Sequence, residues 1–189
     1  FSLVIDRNYI VDNVSQAGEV PATGFVPAGV NDAAGPGHDD FRTVGGEYYS
    51  VDEADYEANC EEARALLAEA GYPGGEGFPT VEYLYNTADN HKKIGEALQN
   101  MWQEQLGVTV TLNNQDWNVF LENRKQGNYQ IARNGWIADY NDPCTFLDMW
   151  YTDGGNNDAQ YSNPDYDAQI DAAKATSVAE ERMKAFPCS

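Results

Sequence analysis

The densest group of residues able to do chemistry lies in IARNGWIADYNDPCTFLDMW, residues 131–150, which gathers Arg133, Trp136, Asp139, Tyr140 and Asp142. A guanidinium pairs with a carboxylate, an aspartate with an ammonium, and an indole plate with an apolar side chain. Together these are the complement of a zwitterion. Asp142 stands directly before Pro143, the arrangement of a helix N-cap, and is expected to do that structural task. For Asp139 and Arg133 the competing reading is a plain ion pair between the two.

Three further positions carry weaker signals. His91 lies in YNTADNHKK (85–93), where a strand gives way to a helix, and its imidazole there can meet a carboxylate. A surface histidine at a helix start is the plainer explanation. Arg124 falls late in a helix, where a cation also suits the negative end of the helix dipole. Trp117, near the start of that helix, has packing as its ordinary role.

Other patterns are discounted. The oxygen-rich runs from Asp139 to Asp142 and from Asp153 to Asp158 lack the closing glutamate and spacing of an EF-hand. Gly74-Gly75-Glu76-Gly77 follows a helix and matches neither a dinucleotide nor a P-loop pattern. No GxSxG is present, and His38 and His91 give no argument for a Cys–His pair. Cys60, Cys144 and Cys188 are odd in number and lack CxxC spacing, which argues against a disulfide framework and a structural zinc site. Neither a metal nor a cofactor is expected.

The elements that must position these residues alternate. Residues 1–17 place apolar side chains near helical spacing, with Gly18 as a C-cap. Residues 19–50 are irregular and rich in Gly and Pro, yet Phe25, Val26, Val30 and Phe41 suggest that the segment packs on something. A helix over 52–71 opens with Asp52, Glu53, Asp55 and Glu57, at the positive end of its dipole. Strands are expected at Thr80–Tyr85, Val108–Leu112 and Tyr129–Arg133. Helices are expected at His91–Leu106, Trp117–Lys125, Pro143–Tyr151, Pro164–Ala175 and from Val178 on. This is the order of a parallel-dominated α/β layer, whose ligands sit beyond the carboxyl ends of the strands. Asn86, Arg133 and Asn134 stand at those ends.

Composition narrows the partners. The 189 residues hold 31 Asp+Glu against 11 Lys+Arg, a formal charge of -20 that repels nucleic acid and anionic membranes. No apolar run reaches the roughly 20 residues of a spanning helix. The opening FSLVIDRNYIVDNV has no Met and already reads as an amphipathic pattern, so a piece of a longer protein is expected.

PATGFVPAGV (21–30), the run from YNTADNHKK to FLDMW (85–150) and YSNPDYDAQIDAAKAT (161–176) closely resemble the C-terminal lobe of periplasmic oligopeptide-binding proteins. These are the extracytoplasmic solute-binding proteins of peptide ABC importers. The similarity runs from about residue 2 to about residue 185 of this chain. It implies a non-enzymatic α/β lobe of the periplasmic-binding-protein type II (Venus-flytrap) fold, with a mixed, mostly parallel sheet flanked by helices. Residues 1–189 would be that one lobe, with 19–50 as a long packed segment, and the N-terminal lobe and C-terminal return strands absent. The resemblance gives Asp139 to the ligand's α-ammonium, Arg133, Arg124 and His91 to its C-terminus, and Trp136 and Trp117 to its side-chain pockets. Asn86 would face the cleft as well.

The implied partners are short peptides, the ABC permease and the N-terminal lobe of the same protein, with the protein a monomer in the periplasm or tethered as a surface lipoprotein. Three departures bear on ligand preference and on the chain end. Ile137 stands where these relatives carry a cysteine, Asn134 replaces a smaller residue, and FPCS breaks the family's helical continuation. Three alternatives stay open: a different cargo within the family, such as a dipeptide, cell-wall peptide, metal chelate or sugar; an acidic hydrolase with two carboxylates roughly 5–10 Å apart; and an interaction module docking through 19–50.

Overall fold

The computed structural model describes residues 1–31 and 39–186. In chain order the helices are α1 (Arg7–Tyr9), α2 (Phe41–Gly45), α3 (Tyr56–Glu69), α4 (Asp89–Leu106), α5 (Trp117–Lys125), α6 (Cys144–Leu147), α7 (Pro164–Ala175) and α8 (Ala179–Ala185). The strands are β1 (Val81–Asn86), β2 (Val110–Gln115) and β3 (Ile131–Ala132). Two compact units contain them. The first holds Phe1–Ala22, Tyr49–Arg124 and Asn128–Asn134; the second holds Thr23–Tyr48, Lys125–Gly127 and Gly135–Ser189.

The first unit is built on a three-stranded sheet in the order β2-β1-β3, with both pairings parallel. β1 is central and pairs with β2 from Val81↔Val110 to Asn86↔Gln115. A central parallel strand is covered on both faces, which explains why Tyr83, Leu84 and Tyr85 are all buried rather than alternating. α4 supplies much of that cover. Leu98, Trp102 and Leu106, four residues apart, form its buried stripe together with Gly95. A side chain at Gly95 would press on the Tyr83 ring, so the small residue sets how closely helix and strand approach. Trp102 also donates its indole N–H to the Phe1 carbonyl at 3.0 Å.

The amino-terminal segment differs from the sequence expectation of a helix over 1–17. Asp6 is an N-cap accepting from the Tyr9 N–H, so helix begins only at Arg7. Arg7 turns back to bond Ser2 Oγ and the Ser2 and Ile5 carbonyls, which fixes residues 2–5 outside the helix. Ile10–Ser15 then widens to π-helix, and Gln16, not Gly18, takes the left-handed cap position. β2 begins and ends later than expected, and β3 shrinks to two residues.

The second unit is helical. Val26, Val30 and Phe41 from the Gly- and Pro-rich segment are buried with Cys144, Phe146, Leu147, Ile170, Ala173, Met183 and Phe186. α7 starts at Pro164 behind Asn163, whose side-chain oxygen accepts from the Asp165 and Tyr166 N–H groups at 3.0 and 3.3 Å. The oxygen-rich run before it is organised by Asn157, buried and bonded to the Trp150, Tyr151 and Tyr161 main chain. Cys60 and Cys144 are free and buried, and Cys188 lies outside the described residues, as does His38. Among the described residues no group of three His, Cys, Asp or Glu is arranged to hold a metal ion, and no helix is long and apolar enough to cross a membrane.

Candidate functional site

Parallel pairing places the carboxyl ends of β1, β2 and β3 along one edge of the sheet, and the sequence puts Asn86, Gln115 and Arg133 there. Arg133 continues the line of β3, its N–H bonding the Leu84 carbonyl at 2.8 Å. Beside this edge lies a cavity of about 530 Å³ with His91, Arg133, Asn134 and Glu19 among its polar lining and Tyr83 and Trp102 among its apolar lining.

Asn86 braces both cationic candidates. Its carbonyl lies 3.2 Å from His91 Nδ1, and its side-chain oxygen lies 3.5 Å from Arg133 Nη1, at the long limit of a hydrogen bond. A carbonyl only accepts, so the proton of a neutral His91 sits on Nδ1. Burial pulls the Arg133 pKa down from its ordinary value, Tyr83 opposes that shift, and the charge of Arg124 adds to it. Burial raises the Tyr83 phenol to about 12 despite the nearby Arg133. The arrangement is thus a half-buried guanidinium with a second one close enough to oppose its charge. An anion placed there relieves both.

Arg124, near the carboxyl end of α5, donates from Nη1 to Asn134 Oδ1 at 2.8 Å and lies 5.2 Å from the Phe120 ring centre. It reaches the cavity through Asn134 rather than lining it. Trp117 is half exposed at the other end of α5, stacked on Phe120 at 5.8 Å, and does not line the cavity either.

Trp136 and Asp139 belong to the second unit. The Trp136 ring packs on that unit's core, and its buried indole N–H has no hydrogen-bond partner among the described residues. Asp139 is exposed, and its main-chain N–H donates to Thr145 Oγ1 at 3.1 Å. Asp148 pairs with Lys174 at 2.9 Å, and the carboxylate that forms an ion pair ahead of α6 is Asp142. It accepts from the Cys144 N–H at 2.8 Å and from Arg182 Nη2 at 2.7 Å, although Pro143 rather than Asp142 takes the N-cap position of α6, which starts one residue later than expected. Ile137, one of the departures, is 89% exposed.

The sequence reading missed Glu19, Asn90 and Tyr83 as cavity residues. Glu19 comes from the irregular segment after the π-turn. Bonds from its own main-chain N–H, from Ala17 and from Ser15 hold its carboxyl below the usual range, against a weaker opposing effect of burial. It is the one carboxylate lining the cavity among the described residues, so the pair that a two-carboxylate hydrolase needs is not present in it.

The family model of bacterial extracellular solute-binding proteins, family 5 (middle region), matches residues 1–158. The chain belongs to this family. Among curated family 5 relatives, the periplasmic oligopeptide-binding protein OppA of Salmonella typhimurium is 38% identical over 182 residues, 96% of this chain and 31% of that protein. The periplasmic murein peptide-binding protein MppA of Escherichia coli is 34% identical over 184 residues, 96% of this chain and 32% of that protein. The chain thus spans about a third of the length of these family 5 relatives. Among solved structures, Haemophilus influenzae OppA in complex with RPPGFSPFR superposes with a TM-score of 0.84 at 34% identity, covering 98% of this chain and 34% of that one. The fold is therefore that of the periplasmic solute-binding proteins of family 5, an α/β layer whose described strands are parallel and flanked by helices.

Proposed function

We propose that this chain is the C-terminal lobe of an extracytoplasmic receptor for short peptides, which it presents to the permease of an ABC importer. The observation that carries the reading is one cavity lined by both Arg133 and His91, with an aromatic floor, at the carboxyl edge of a parallel sheet. A peptide C-terminus supplies the anion that the Arg133 and Arg124 charges favour, and Asp139 meets the α-ammonium. Trp136 and Trp117 flank side chains, and Asn86 holds His91 and Arg133 in place. End-group anchoring leaves the residues between the ends unread, which suits a receptor for many sequences. Ligand contacts from two lobes shift an open–closed equilibrium toward the closed form that the permease accepts. The named relatives bind oligopeptides and murein peptides, which supports a peptide cargo.

Calorimetric titration of the full-length protein with tri- to pentapeptides tests this. Free peptides should bind, C-terminal amidation should weaken them, and Arg133→Met should remove that discrimination. N-acetylation should weaken them as well, and Asp139→Asn should remove that one. Unchanged discrimination in both variants would refute the assignment.

A further inference from the structure

Asp139 poses a positioning problem. It sits in the irregular stretch between β3 and α6 and its side chain is exposed, so neither regular structure nor burial fixes where its carboxylate points. An exposed loop pays an ordering cost on binding unless its main chain is already held. Three ties within the second unit hold this one. At Asp139 itself, the N–H donates to Thr145 Oγ1 at 3.1 Å. Two residues on, Asn141 pairs with Asn31, accepting from its N–H at 2.9 Å and donating to its side-chain oxygen at 2.7 Å. One residue further, Asp142 bonds Cys144 N–H and Arg182 Nη2.

We infer that Thr145 and Arg182 are positioning residues that pre-organise Asp139 for the ligand's ammonium. The inference rests on the role proposed for Asp139 above. Thr145 is suited to the task because it does not move: it is 6% exposed and sits in α6 between buried Cys144 and Phe146. A buried hydroxyl costs stability unless it is bonded, and an apolar residue of the same shape would fill the position more cheaply. Among the described residues only Thr145 and Asn157 are buried polar side chains. Asn157 spends its bonds on organising its own turn; the bond of Thr145 goes to Asp139.

Arg182 acts from the other side of the loop. Its Nη1 donates to the Ala173 carbonyl in the last turn of α7 at 3.0 Å, while Nη2 holds Asp142. The Arg182 and Asp142 side chains are only 18% and 16% exposed, so the pair is partly shielded from water and from salt. One guanidinium therefore fastens α7, α8 and the loop together. Residue 182 also lies beyond the 1–158 span that the family model matches, in a helix that pattern does not describe.

Thr145→Val keeps the shape of the buried side chain, so the apolar packing of α6 is retained when the hydroxyl is removed. What is lost is the fixed direction of the carboxylate. The test uses the full-length protein and measures dissociation constants for one tripeptide and for its N-acetylated form. Asp139→Asn should collapse the preference for the free amine. Thr145→Val should reduce that preference about threefold to tenfold, the net worth of one neutral hydrogen bond, with the acetylated peptide unaffected. Thr145→Ser, which keeps the acceptor, should restore it. Arg182→Met should act in the same direction, with Arg182→Lys between it and the parent.

A purely structural role would weaken both peptides in parallel, and that result would overturn the inference. So would an unaltered preference in folded Thr145→Val, whose near-isosteric side chain keeps it decisive if Arg182→Met does not fold. If Asp139→Asn itself leaves the preference intact, the ammonium role fails first and takes the positioning role with it. Loss of preference in Asp139→Asn but not in Thr145→Val refutes positioning alone.

Discussion

Gly107 closes α4 in the left-handed region, φ 68° and ψ 15°, and donates its N–H to the Gln103 carbonyl at 3.0 Å. The turn at Pro73–Gly75 lies directly against it. A Cβ on Gly107 would collide with the Gly74 carbonyl oxygen, and a Cβ on Gly75 would lie 2.5 Å from the Leu106 carbonyl oxygen. Both obstructions are main chain, which cannot swing aside as a side chain can. Gly107→Ala therefore combines two costs: about 1–2 kcal/mol for a side chain in the left-handed conformation and about 1–3 kcal/mol for forcing packed main chain apart. Gly77 is the control, with φ 76° and nothing within 4 Å of its would-be Cβ, so Gly77→Ala carries the first cost only. The difference between the variants, about 1–3 kcal/mol, isolates the close approach. Urea unfolding followed by tryptophan fluorescence should show it as a midpoint lower by about 1 M than that of Gly77→Ala. Equal midpoints would mean that the turn does not press on the helix end as described.

Other expectations follow from burial and titration. Leu84 is fully buried in β1, so Leu84→Ala should cost about 2–5 kcal/mol in thermal or urea unfolding, with Leu84→Met losing under about 1.5 kcal/mol. Burial raises the phenol of Tyr83 to about 12, and those of Tyr56 and Tyr166 shift upward too. Raised phenols stabilise the fold fully below the ordinary tyrosine value near 10 and lose that contribution as pH rises toward 12. Absorbance at the tyrosinate band should show a late-titrating class that shrinks in Tyr83→Phe, and stability should fall over the same window. On the two-lobe site proposed above, the 189-residue chain by itself should bind peptides far more weakly than the full-length protein. Micromolar binding by the chain alone would contradict a two-sided site.

The alternation of strands and helices was readable because it rests on local spacing. The stripe of Leu98, Trp102 and Leu106 defines α4, and Asn163-Pro164 marks the start of α7, with no help from distant residues. Where local signals competed, the reading slipped. Apolar residues at 3–5 suggested a helix from the outset, but Asp6 is the true cap and the Arg7 guanidinium holds the preceding turn open. The capping bond of Asp6 to the Tyr9 N–H outweighs the hydrophobic spacing of residues 3–5 in setting where the helix starts. β3 is shorter than its β propensity suggests because ladder pairing with β1 covers only Tyr83↔Ile131 and Leu84↔Ala132; ahead of it the Gln130 side-chain oxygen, not a strand carbonyl, accepts from the Glu82 N–H.

At the site, residue chemistry singled out Arg133 and Asp139, and the resemblance supplied roles for His91, Arg124, Trp117, Trp136 and Asn86. Glu19 escaped because nothing in its neighbourhood marks it. It enters the cavity through the path of the chain, and one-dimensional patterns do not carry that information. Thr145 escaped because a threonine in an apolar run looks like core, and only the distance to Asp139 N–H reveals what its hydroxyl does.

The hydrogen bond between His91 Nδ1 and the Asn86 carbonyl fixes more than a ring orientation. A carbonyl oxygen only accepts, so Nδ1 is the donor in this contact and Nε2 is the nitrogen left for other partners. The last residue of β1 thereby tethers the first turn of α4, so a change at the end of the strand is felt at the ring, and a change at the ring is felt at the strand.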